Sequence, residues 1–200
     1  VKKDLKQWFF KITDYADRLL DDLDKLPGWP ERVKTMQRNW IGRSEGLEFG
    51  FEVPSLHKKL NVYTTRPDTI YGVTFVVIPP EHPMVEELLK DNPRKAELEA
   101  FCNKVKNTSD IERTSSESEK LGMYTGVDCI HPLTGEKVQI WITNYVLVDY
   151  GTGAVMGVPT GDHRDWMFAT KYGIKKILTL QPKDKELKLE EMTDAYEDKD

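Results

Sequence analysis

The stretch "VYTTRPDTIYG", residues 62–72, gathers three threonines, an arginine and an aspartate within six positions. Pro67 fixes its own backbone and pushes Arg66 toward an extended conformation. Asp68 or Thr69 is then placed to cap the next segment. A capped turn needs only one or two such residues, and β-propensity accounts in part for Thr64 and Thr65. A pocket that measures a small molecule could use every one of these hydroxyls.

A second cluster is "DYGTGAVMGVPTGDHRDW", residues 149–166. Gly151, Gly153 and Gly157 allow another backbone or a ligand to approach closely. The run lacks the GxGxxG spacing of a nucleotide fingerprint and lies inside a strand pattern. Asp162 suits a helix N-cap, and Asp165 falls in the first turn, where the helix dipole favours a carboxylate. An ordinary helix start explains both acids. An aspartate projecting from that position could also hold a substrate ammonium group. His163 lies between charged neighbours and reads as a solvated residue. His57, His82 and His131 scatter near turns, so neither a Ser–His–Asp set nor a zinc site is expected.

The elements that must position these residues are legible in outline. Residues 5–26 read as an amphipathic helix, with Trp8, Ile12, Tyr15, Leu19 and Leu23 at helical spacing. "PGWP" at 27–30 breaks it, and "ERVKTMQRNWIG" resumes a short basic helix ending near Gly42. From Leu47 the period becomes two, so "LEFGFEV" and "KLNVYTT" are expected strands. Residues 82–107 are helical with a break at Asn92-Pro93, and "TSDIERTSSESEKLG" is expected to be a mobile loop. "YTGVDCIHP" and "VQIWITNYVL" flank a "LTGEK" turn as a hairpin. After them come the strand "GTGAVMGVP", the helix "DHRDWMFATKY" closed by Gly173, and a strand "KKILTL". Strands outnumber helices without regular βαβ alternation. The expected fold is α+β, a barrel-like mixed β domain (45–200) with peripheral helices and a helical N-terminal connector (1–44).

Bulk composition narrows the function. Two hundred residues with 38% hydrophobic content suffice for one main domain and an extension. No apolar run approaches a membrane span, and the N-terminus lacks a signal peptide's apolar core. Net charge −5 argues against wrapping long nucleic acid but allows the gripping of a single end. Cys102 and Cys129 have no metal spacing, and a reduced compartment is expected for them, with a single disulfide as the alternative. Both termini are abrupt, and the chain is expected to be cut from something larger.

"TTRPDT", "GTGAVMGVP…D-x-R-D" and "MQRNWIGRSEG", in this order, resemble the editing domain inserted in bacterial-type leucyl-tRNA synthetase. Related isoleucine and valine enzymes usually carry Trp where this chain has Asp68, which favours the leucine member. The synthetic-site signatures "HIGH" and "KMSKS" are absent. The resemblance implies hydrolysis of the ester of mischarged tRNA(Leu), carrying isoleucine, norvaline or methionine, while Leu-tRNA(Leu) is spared. A methylene-sized difference is worth only about 1–3 kcal/mol in a pocket, which is why a second, hydrolytic sieve is useful. The alternative is a hydrolytically silent module that binds the tRNA 3′ end.

By the same resemblance, Thr69 would obstruct the γ-branched side chain of leucine. Thr64 and Thr65 would place the ester and the attacking water. Arg66 would approach the terminal adenosine or its phosphate, and Asp165 would pair with the α-ammonium group. Tyr150, Met156 and Val158 would form the amino-acid wall, with Asp162 a lesser candidate. The partners implied are the 3′ end of aminoacylated tRNA(Leu) and the rest of the synthetase, in the cytoplasm or an organelle. No metal or cofactor is implied for the domain, ATP being used by the synthetic core. One departure stands out: where the family usually has His before the first Asp of "HD-x-RD", this chain has Thr160-Gly161, expected to loosen the turn. The family's domain also continues beyond residue 200, so a final strand is expected to lie outside this chain.

Overall fold

The computed structural model describes residues 5–109, 112–113, 118–148 and 151–197. The chain divides into two compact units, Val1–Glu45 and Gly46–Asp200. In the first, α1 (Ala16–Asp21) sits between the 3-10 turns Ile12–Tyr15 and Asp22–Lys25, and α2 spans Glu31–Ile41. The helix expected over 5–26 is therefore shorter and irregular. Trp8 is 100% exposed, Phe9, Phe10, Ile12, Tyr15 and Leu19 are exposed, and Leu23 is the one member of the apolar stripe that is buried. A helix of this length depends on such packing more than on propensity. Charge ties the α1 region to α2 and its exit instead: Arg43 pairs with Asp17 and Asp21, and Arg38 with Asp24.

The second unit is built on six strands: β1 (Leu47–Val53), β2 (Lys58–Thr64), β3 (Phe75–Ile78), β4 (Gly122–Ile130), β5 (Lys137–Thr143) and β6 (Val155–Gly157). Their order in the sheet is β2-β1-β4-β5-β3-β6. Only β3 and β5 run parallel; the other neighbours are antiparallel. The α+β architecture with a mixed sheet is as expected, but the sheet is open. No ladder joins β2 to β6 among the described residues. The two edges are drawn together by Thr152, whose hydroxyl donates to the Asn61 carbonyl at 2.8 Å. The expected strand over 175–180 makes no ladder among the described residues; it is held by the Thr160 hydroxyl, which donates to the Ile177 carbonyl at 2.7 Å, and by Lys176, which donates to the Thr170 hydroxyl at 2.7 Å.

Strand β3, "FVVI", is buried on both faces, and its alternation divides the core in two. Val76 and Ile78 join Ile140 and Ile142 of β5 under α3 (Met84–Leu89) and α4 (Lys95–Lys106). Phe75, Val77 and Trp141 face α5 (His163–Tyr172), whose Phe168 lies 5.2 Å from the Phe75 ring and 5.3 Å from Trp141. Arg113 and Lys120 are buried, so the polar segment expected to be a mobile loop contributes to the interior. Cys102 and Cys129 are free and buried. No helix among the described residues is long and apolar enough to cross a membrane.

The glycines of the second motif receive side chains of this fold. A Cβ on Gly157 would stand 2.4–2.6 Å from three atoms of the Phe75 ring, and one on Gly151 would stand 2.7 Å from Tyr63 Cβ. Phe75 is fully buried and has no space to retreat into. Gly157→Ala should therefore lower stability by about 1–3 kcal/mol, read as a reduced urea midpoint at unchanged slope.

Candidate active site

A cavity of about 350 Å³ opens where the curled sheet edges meet the start of α5. One wall is residues 63–66 at the end of β2, together with Thr69. The second is residues 145–147, after β5. The third is Val155, Met156 and Val158 of β6 and its exit, followed by Gly161, Asp162, Arg164 and Asp165. The volume is at the small end of the roughly 300–1,000 Å³ typical of ligand sites. The structure brings together Thr64, Thr65, Arg66, Thr69, Met156, Val158, Asp162 and Asp165 of the expected set. Tyr150 lies outside the described residues.

The "TTRPDT" turn is held differently from the expected cap. Pro67 begins a 3-10 segment, Pro67–Gly72, with no side-chain cap. The Thr64 hydroxyl accepts the Arg66 N–H at 3.0 Å, and the buried Thr69 donates its hydroxyl to the Arg66 carbonyl at 2.9 Å. Thr69 thus stands as a rigid, immobilised wall. Asp68 accepts from Arg66 Nε at 3.1 Å and Nη2 at 2.9 Å, so the arginine is tethered along one edge of its guanidinium. From behind, buried His131 donates Nε2–H to the Ile70 carbonyl at 2.9 Å, its Nδ1 being taken by the Leu133 and Thr134 N–H groups.

The start of α5 has the expected pattern. Asp162 caps the helix, accepting from the N–H groups of Arg164 at 2.8 Å and Asp165 at 3.2 Å. Glu197 takes the remaining His163 N–H at 2.6 Å, and the exposed His163 ring pairs with Asp194. The turn at Gly161 is hydrogen-bonded. The Gly161 N–H donates to the Val158 carbonyl at 2.9 Å, and the neighbouring Thr160 carbonyl accepts from Tyr196. An added Cβ there would meet Val158 only at ordinary contact distance, 3.5 Å, so nothing about the position demands glycine.

Asp165 is the electrostatic centre of the site. It is 6% exposed, accepts from the Val158 N–H at 2.9 Å on one oxygen, and lies 3.3 Å from the Tyr145 hydroxyl on the other. Among the described residues no cation lies within ion-pair distance of it. Burial, then the nearby Asp162 charge, push its carboxyl up to about 7. Burial also works on Asp162, but the hydrogen bond and charge of Arg164 outweigh it and hold that carboxyl below its ordinary value. Neighbouring acids are thereby split into an ionised one that caps and a strained one that faces the cavity. Among the described residues no group of three acidic, His or Cys side chains is arranged to hold a metal ion.

Sequence reasoning missed Tyr145, placed in the hairpin strand although β5 ends at Thr143. It also left Arg164 without a role, although it sits within the quoted "DHRDW" and pairs with Asp162 at 2.9 Å.

A family model described as "Leucyl-tRNA synthetase, editing domain" matches residues 38–200, and the chain belongs to this family. Among whole proteins it is similar to leucine–tRNA ligases. That of Symbiobacterium thermophilum is 56% identical over 200 residues, covering 98% of this chain and 23% of the ligase. That of Thermotoga maritima is 55% identical over 193 residues, covering 96% of this chain and again 23% of the ligase. The chain thus spans under a quarter of the length of these relatives. A solved structure, the ternary complex of Agrobacterium radiobacter K84 agnB2 LeuRS-tRNA-LeuAMS, superposes with a TM-score of 0.72 at 39% identity, covering 90% of this chain and 22% of that one.

The raised Asp165 carboxyl has a signed consequence for stability. From about pH 4 to pH 7 the unfolded chain has released this proton while the folded chain retains it, so stability falls as pH rises and the full penalty is present above pH 7. Asp165→Asn should therefore gain on the order of 1–3 kcal/mol at about pH 8, and the gain should vanish near pH 4. Urea unfolding of both proteins across that range checks it.

Proposed function

We propose that this chain is a post-transfer editing hydrolase, cleaving the aminoacyl ester of tRNA(Leu) mischarged with isoleucine, norvaline or methionine and sparing Leu-tRNA(Leu). The observation that carries the reading is Asp165, a buried carboxylate with two hydrogen-bond donors and no cationic partner among the described residues, opening on a cavity of about 350 Å³. Such a group lacks a positive charge, and the α-ammonium of an aminoacyl ester supplies one. The ammonium is common to every amino acid, so this contact sets orientation and leaves selection to the walls.

Selection falls to Thr69, Met156 and Val158. With its hydroxyl committed to the Arg66 carbonyl, Thr69 cannot swing aside for a branched γ-carbon. Thr64 accepts from the Arg66 N–H and keeps its own O–H to donate, and Thr65 has no side-chain partner among the described residues. These two hydroxyls, with a ribose hydroxyl of the tRNA, hold the attacking water. Water adds to the ester carbonyl carbon, the bond to the ribose oxygen breaks, and that oxygen leaves as a hydroxyl after taking up a proton. The ester is already activated, so positioning supplies much of the barrier reduction without a protein nucleophile. Arg66, tethered to Asp68 through Nε and Nη2, has Nη1 left for the terminal adenosine or its phosphate.

The solved relative was captured with tRNA, which supports the tRNA 3′ end as the partner of this domain. The remaining three-quarters of the related ligases supports a second partner, the synthetic core, where ATP would be used; the editing step itself calls for water and no cofactor. A role in translation fits a cytoplasmic setting, or an organelle that makes its own proteins. The 1–44 segment would be the connector to that core and 45–200 the editing domain.

Two substitutions test the reading. Asp165→Ala should leave the fold intact and reduce deacylation of Ile-tRNA(Leu) by at least about 100-fold, since orientation of the ester is lost. Unchanged rates would remove the ammonium assignment. Thr69→Ala should begin to hydrolyse Leu-tRNA(Leu), raising that rate by about 10-fold or more. Continued sparing of Leu-tRNA(Leu) by this variant would refute the steric role.

A further inference from the structure

Tyr145 lies just beyond β5, on a stretch held from both sides. Arg113, 2% exposed, donates Nε to the Asn144 carbonyl at 3.0 Å and Nη2 to the Val146 carbonyl at 2.8 Å. Glu81 accepts from the same guanidinium at 2.9 Å. Asn144 adds a second anchor, accepting the Leu121 N–H at 2.8 Å and donating to the Glu119 carbonyl at 3.0 Å. The residue so bracketed places its ring 5.6 Å from that of Phe168, about one turn along α5 from Asp165. Its hydroxyl is then 3.3 Å from Asp165 Oδ1.

Phenylalanine would fill the same space against Phe168 without the cost of burying a hydroxyl. The hydroxyl therefore needs an explanation, and its hydrogen-bond partner among the described residues is the carboxylate that faces the cavity. Val158 N–H holds one oxygen of Asp165 and Tyr145 stands at the other, from separate elements. Two donors fix the plane of a carboxylate where one leaves it free to turn about Cβ–Cγ. The 3.3 Å separation is long for such a bond, and hydrogen bonds of this kind tighten when the bound state forms.

We propose that Tyr145 is a positioning residue for editing: its hydroxyl sets the plane of the Asp165 carboxylate so that it receives the α-ammonium of the aminoacyl ester. This rests on the editing reading given above. The groups around Asp165 are few. Asp162 opposes its ionisation and Arg164 favours it, both from the start of α5. Among the described residues the β6–α5 segment offers Asp165 the Val158 N–H. Across the cavity stand Tyr63 and Arg66, the latter paired with Asp68. Burial keeps the Tyr145 phenol neutral, so it is a donor throughout the working range and favours the charged carboxylate. Removing that donor must move the ionisation of Asp165 upward.

The test is single-turnover deacylation of Ile-tRNA(Leu) by the intact protein that carries this sequence, with Tyr145→Phe and Asp165→Ala beside wild type, between about pH 5.5 and 8.5. Tyr145→Phe should keep the wild-type thermal midpoint to within a few degrees, because the ring still packs on Phe168. It should slow hydrolysis about 5–30-fold at the alkaline end, where Asp165 is ionised in both proteins, and by more at the acid end, its acid limb displaced upward. Wild-type rates at the alkaline end, or an acid limb that does not move, would overturn the positioning role. Asp165→Ala separates the two readings. If it hydrolyses like wild type, the editing assignment of Asp165 fails and the tyrosine proposal with it. If it is inactive while Tyr145→Phe matches wild type, only the tyrosine proposal fails.

Discussion

A carboxylate buried with no cation beside it among the described residues is the constraint around which this domain is arranged. Leaving Asp165 in the interior costs free energy whenever it is ionised, and the surroundings reduce that cost only in part. The Val158 N–H reaches it because β6 ends beside the helix start, and β6 packs so closely because Gly157 admits the Phe75 ring. The helix that carries Asp165 is fixed by the Asp162 cap at one end and by Phe168 against Phe75 and Trp141 along its length. A local destabilisation is tolerated because the packing that imposes it is extensive. Such uncompensated groups are the usual trade between stability and function at a site.

The two arginines at the cavity are each matched by a near neighbour, Arg66 by Asp68 and Arg164 by Asp162. Their charges are therefore largely balanced before anything binds, and Asp165 is the excess. A cavity of this kind discriminates against an incoming anion at its floor while leaving a partly used guanidinium at its rim. An aminoacylated nucleotide has that polarity, with an ammonium group at one end and phosphate at the other.

Much of this was legible in the sequence, for physical reasons. Period-two runs, the Asn92-Pro93 break, the "LTGEK" turn and the cap at Asp162 each act locally, and each element formed close to where it was read. Features that depended on distant partners were less legible. The stripe from Trp8 to Leu23 has helical spacing but buries only Leu23, so only part of it is helical. "KKILTL" has strand propensity but no free sheet edge that takes it. Gly151 and Gly157 looked like room for a ligand and are filled by Tyr63 and Phe75. Tyr145 carried no local signal at all: its role is created by Arg113, Asn144 and α5, which the chain brings to it from both directions.

The parallel pairing of β3 with β5 joins residues more than sixty positions apart, Phe75 with Gln139 through Ile78 with Ile142. Closing that distance must precede any reward from the contact, and topologies of this sort fold slowly. Every wall of the cavity hangs from this pair or from the edges outside it. A nascent chain that has made only its local hairpins therefore has the threonines but no Asp165 opposite them. On the proposed reading, proofreading competence would then wait for the central sheet, so that a chain stalled before it forms carries a silent site instead of an unselective one.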